Sequence, residues 1–110
     1  MNRKISSEEA FLLKRTLEVG ALESIASALF NEIPLLHVRT RCACGCPTVW
    51  FARDGETTAS HLLAGALANV DETVVEVRVW SNGSHIVGLE FVGPHAGFSL
   101  PDASSLRRVG

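Results

Sequence analysis

Arg41–Phe51 runs RCACGCPTVWF and holds all three cysteines of the 110-residue chain, at alternate positions 42, 44 and 46. Three thiolates on one zinc ion need sulfurs roughly 3.8 Å apart, given Zn–S distances near 2.3 Å and tetrahedral angles. Alternate side chains of an extended strand lie about 6.5–7 Å apart, so a metal site requires the loop to curl. Gly45 supplies the freedom for that. The candidate metal set is Cys42, Cys44 and Cys46 with His37 as fourth ligand; His61, His85 and Asp54 are the other donors in reach of the argument. Against zinc, common zinc motifs use C-x-x-C pairs, and no second pair follows. A reactive thiol needs a lowered pKa and a partner base. Arg41 beside Cys42 helps slightly, but no Cys–His nucleophile signature is present. The simpler expectation is a hairpin turn. In it Gly45 takes a positive φ, Pro47 opens the next strand where its missing N–H is harmless, and the cysteines pack as small hydrophobes.

The remaining titratable residues form no constellation. There are no paired carboxylates, no glycine-rich phosphate loop and no nucleophile elbow. Asp71-Glu72 and Asp54-Gly55-Glu56 fit polar turns, and the four histidines are isolated in the sequence. The expectation is a protein without catalytic activity or cofactor, with zinc as the alternative.

Composition bounds the rest. An apolar fraction of 46% and a charged fraction of 20% are those of a folded globule, and the length fits a single domain over 1–110. Net charge is -2, and the basic residues are scattered, which argues against a nucleic-acid footprint. No apolar run approaches the ~20 residues that cross a bilayer. The N-terminal stretch lacks the form of a secretory signal, and three cysteines cannot all pair within one chain. A reducing cytoplasm is the compartment expected.

The elements around the cysteine turn follow from periodicity. Ser6 precedes Glu9 at capping-box spacing, Glu8 and Glu9 suit a helix N-terminus, and Gly20 is a natural left-handed stop. Leu22, Ile25, Ala26, Leu29 and Phe30 then follow an amphipathic helical period that Pro34 ends. This predicts one or two helices within 1–33. From 35 the period becomes two. Strands at 35–42 and 48–53 flank the turn, with Val38 facing Phe51, Arg39 facing Trp50 and Thr40 facing Val49. Residues 59–70, ASHLLAGALANV, fit a helix or a strand, and periodicity does not decide between them.

Asn82-Gly83 separates two β-rich runs and predicts a hairpin. Pairing Val79 with Val87, Val77 with Leu89 and Val75 with Phe91 buries six apolar side chains, worth roughly 1.5–3 kcal/mol each. That register calls for a three-residue loop or a bulge at Asn82–Ser84. The fold class expected is α+β: one or two N-terminal helices packed on one face of a four- to five-stranded antiparallel β-meander. The meander occupies 35–92, and 93–110 forms an irregular tail in which Pro101-Asp102-Ala103 could start a short helical turn.

Cys42, Cys44, Gly45, Cys46, Pro47 and Thr48, followed by Gly83, Leu89-Glu90 and Leu100-Pro101-Asp102, resemble a group of small bacterial proteins, largely actinobacterial. That group carries a C-x-C-G-C-P-[ST] turn, then a glycine turn and L-E on the next strand, then L-P-D. The resemblance covers most of the chain after residue 40. It implies no activity, but it implies an extended segment at 61–68.

Two helices cover only one face of such a sheet. The expected open face collects Arg39, Arg41, Trp50, Arg78, Trp80 and Ile86, with His37, Glu76 and Glu90 alongside. Trp and Arg are enriched at binding hot spots, and an apolar patch with a charged rim marks an interface. The opposing explanation is an amphipathic outer face with an arginine stacked on Trp50. The function expected is therefore a protein-interaction or regulatory module, most simply a homodimer and otherwise bound to another protein.

Overall fold

In the computed structural model, which describes residues 2–43, 45–52, 61–94 and 97–109, ten elements follow in chain order. They are β1 (Arg3–Lys4), α1 (Ser7–Gly20), α2 (Ser27–Glu32), β2 (His37–Val38), β3 (Thr40–Arg41), β4 (Val49–Trp50), β5 (His61–Val70), β6 (Thr73–Ser81), β7 (Ile86–Val92) and β8 (Arg107–Arg108). Short 3-10 turns occupy Ile33–Leu35 and Ala103–Ser105.

The start of α1 is the one its sequence predicts. Ser6 Oγ accepts from the Glu9 N–H at 3.1 Å, and Glu9 Oε1 accepts from the Ser6 N–H at 2.9 Å, which satisfies two of the orphan donors of the first turn. Its end has a different cause from the one expected. Gly20 is the last helical residue, not a left-handed cap. A Cβ there would stand 2.1 Å from the Gly65 carbonyl oxygen, so glycine lets the helix rest directly on the β5 backbone. The chain then hydrogen-bonds to β5 through Leu22 N and Leu63 O at 3.0 Å. The second helix is only six residues long and buries no side chain fully. Pro34 belongs to the 3-10 turn that follows it.

The class is α+β, with helices against antiparallel strands. The strand count and path differ from a four- to five-stranded meander. Six strands form one sheet in the order β3-β4-β7-β6-β5-β8, and β1 pairs with β2 in a separate ribbon. β3 pairs with β4, and β5, β6 and β7 run as consecutive neighbours, but β4 pairs with β7, on the opposite side of it from β6. The ambiguous segment is a strand from His61, as the resemblance implied; Ala59 and Ser60 lie outside the described residues. Nor is the C-terminal segment wholly irregular. Asp102 caps the 3-10 turn, and β8 joins the edge of the sheet beside β5.

Both hairpin registers differ from expectation. In the first, Thr40 faces Trp50 and Arg41 faces Val49, one residue off, because the strand breaks at Arg39 when Val38 pairs with Arg3. In the last, Val77 faces Phe91 and Val79 faces Leu89, two residues off. The loop is Asn82–His85, closed by Asn82 N to His85 O at 3.1 Å, with Gly83 at φ +98°. The expected bulge exists, but it sits at Val87, between the Trp80–Gly88 and Ser81–Ile86 pairs. A two-residue shift preserves which side chains share a face, so Val75, Val77, Val79, Leu89 and Phe91 still form the core side with Leu12, Leu13 and Leu17 of α1.

Candidate functional site

The cysteine turn is held by its threonine. Thr48 Oγ1 is buried, accepts from the Phe91 N–H at 2.9 Å and lies 3.4 Å from the Phe91 carbonyl oxygen, to which it donates. The Cys46 thiol donates to the same hydroxyl oxygen at 3.4 Å. A side chain thus replaces a ladder bond just before β4 begins. Gly45 has φ +90°, as the turn required, and its N–H reaches the Cys42 carbonyl at 3.4 Å. Cys42 and Cys46 line one cavity of about 440 Å³ with Trp50, Glu90 and Phe98. Cys44 lies outside the described residues. Among those residues no three His, Cys, Asp or Glu side chains gather closely enough to hold a metal ion, and His37 is not beside the cysteines. It belongs to the β1–β2 ribbon, where its Nδ1 pairs with Asn2 Oδ1 at 3.0 Å. Of the other donors considered, His61 pairs with Glu23 and His85 with Glu32, while Asp54 lies outside the described residues.

The open face of the six-stranded sheet is built by register. One cross-strand row runs Thr40, Trp50, Gly88, Trp80 and Leu62 through β3, β4, β7, β6 and β5. Gly88 lies between the two tryptophans, and a Cβ on it would meet the Trp50 ring at 2.3 Å, so Trp50 lies flat on the sheet. Trp80 donates from Nε1 to Glu90 Oε1 at 3.0 Å. Arg78 pairs closely with Glu76 and stands 3.7 Å from Glu90. Leu67 sits opposite Glu76 and Arg107, while Val74 and Val92 are 48% and 41% exposed.

Of the six surface residues expected there, the structure brings Trp50, Arg78 and Trp80 together. Ile86 is a correction: the bulge at Val87 reverses its side, and it is buried at 2% exposure opposite Ser81. Arg39 is another. It lines a cavity with Phe51 and Ile86 rather than the tryptophan row, and Arg41 faces Val49 at the sheet edge. Leu62, Leu67 and Gly88 were missed. A glycine inside a strand signals close approach by a neighbour, and that signal was present at Gly88.

No protein family, curated protein or solved structure matches this chain.

Proposed function

We propose that this chain is a small non-enzymatic interaction module whose open sheet face docks on a second copy of itself in the cytoplasm. The tryptophan row carries the reading. Two large aromatic rings and Leu62 share one half-exposed row of the sheet, and rigid aromatics at the centre of a patch are what binding surfaces concentrate. A two-fold contact covers the same strip on both copies at once. Charge supports it: Arg78 and Arg107 balance Glu76 and Glu90 across the face, so like faces can approach without net repulsion. Edge-to-edge pairing is less favoured. Both edge strands, β3 and β8, are two residues long and carry Arg41, Arg107 and Arg108, the short charged edges that resist further pairing.

Sedimentation velocity at high micromolar concentration tests this. The unmodified protein should sediment as a dimer, and Trp80→Glu as a folded monomer with an unchanged far-UV spectrum. If Trp80→Glu fails to fold, Leu62→Glu serves in its place. A monomeric unmodified protein refutes the reading. The second reading, a small zinc protein organised by Cys42, Cys44 and Cys46, rests on the shared cavity of Cys42 and Cys46. Stoichiometric zinc in protein purified without chelator would favour it.

A further inference from the structure

α1 carries a second stripe besides the Leu12, Leu13 and Leu17 set that it packs into the core. Ser7, Ala10, Phe11 and Lys14 recur at i, i+3, i+4 and i+7 and so share a face of the helix. That face lines a cavity of about 640 Å³. The buried Ile5 and Ile33 and the half-buried Phe30 line it as well, while Phe11 stays 57% exposed. Its charges are the anomaly. The chain has net charge -2 and only two lysines, Lys4 and Lys14, and both line this one cavity. Among the described residues no acidic side chain lines it, and neither lysine has an ion pair.

We infer that this groove binds a single-chain aliphatic carboxylate. Its volume lies within the roughly 300–1,000 Å³ of small-molecule sites, which are mostly apolar with a few polar groups that fix orientation. An alkyl chain would cover the exposed ring of Phe11, and its carboxylate would meet ammonium groups that carry three donors each. Lysine stems add apolar surface beside the chain while their heads stay in water, so tail and head are matched together. Charge decides against other occupants. A cationic amphiphile would meet two like charges, and a second copy presenting the same groove would set lysine against lysine. The groove shares no residue with the tryptophan row, so its ligand does not depend on the dimer.

Two-dimensional ¹H–¹⁵N NMR titration of the full chain with sodium decanoate, below its micelle-forming concentration, tests the inference. Saturable shifts confined to the amides of residues 4–7, 10–14 and 30–33 are expected. Sodium hexanoate should bind more than tenfold more weakly, because four methylenes are lost from the apolar contact. Decyltrimethylammonium, with the same tail and the opposite charge, should bind more weakly than decanoate. Replacing both lysines, Lys4→Gln with Lys14→Gln, should weaken decanoate by roughly three- to tenfold, the worth of exposed ion pairs. If that double variant does not fold, Lys14→Glu alone serves in its place. No saturable shift below about 10 mM decanoate (a weaker affinity than a built site gives) would overturn the inference. So would equal binding of decyltrimethylammonium, or unchanged decanoate affinity in a folded lysine variant. Broadening of the same amides by phosphatidylglycerol vesicles, without saturable decanoate shifts, would make the groove a membrane contact and overturn it too.

Discussion

Glu9 is a buried carboxylate whose partners are all visible. Arg3 grips it with two bonds of 2.8 Å, and the Ser6 N–H adds a third. Burial pushes its pKa up, but the Arg3 fork and the Ser6 contacts outweigh that and hold it below the ordinary carboxylate value. Because the native state holds the proton less tightly than the unfolded chain, the bond's contribution is full above the ordinary Glu pKa of about 4.3. It is lost as pH falls through the lower native value. Urea unfolding between pH 3 and 7 should show stability falling on the acid side. Glu9→Gln should flatten that slope and cost about 1 kcal/mol at pH 7, a charged bond discounted for the exposure of Arg3. Thr48 gives a second test. Thr48→Val keeps the shape but strands the buried Phe91 N–H, and should cost about 1–3 kcal/mol, while Thr48→Ser should cost less. Ser6 and Glu9 were legible because capping is local in sequence. Arg3 and the Thr48–Phe91 bridge were not, because each depends on what the fold brings near.

At the scale of elements, β5 and α1 explain each other. Ala64, Ala66 and Ala68 are buried on the helix side of β5, and small side chains there let α1 approach until Gly20 touches the Gly65 carbonyl. Alanine is a poor strand former and a good helix former, so the local signal pointed both ways and tertiary packing decided. Gly20→Ala should therefore destabilise the protein by about 1–3 kcal/mol from overpacking, although alanine is the better helical residue by about 1 kcal/mol. Thermal or urea unfolding would measure it, and a stabilised variant would refute the close approach. The strands β1 and β8 escaped sequence reading for a related reason. Each is two residues long, too short to show a period, and exists only through its partner.

Over the whole molecule, the open face was legible as a set of alternating residues, while its edges were not. Period two carried Arg78 and Trp80 to one side through a two-residue error in register, and Trp50 joins them through the pairing of β4 with β7. A break at Arg39 and a bulge at Val87 each reversed that parity, and with it the sides of Arg39 and Ile86. The face that remains is continuous from Thr40 to Leu62, and among the described residues no helix lies on it. If a second copy does, association is linked to folding, because only the folded face can dimerise. The melting temperature should then rise with protein concentration. For a dimer of about 100-residue subunits that dissociates as it unfolds, a tenfold increase adds RT ln 10 per dimer, which raises the midpoint by roughly 3 °C. Scanning calorimetry over a hundredfold range spanning the micromolar region would resolve the trend. Trp80→Glu should melt at one temperature throughout that range. A midpoint of the unmodified protein that stays flat over the same range would mean that the face remains open in solution.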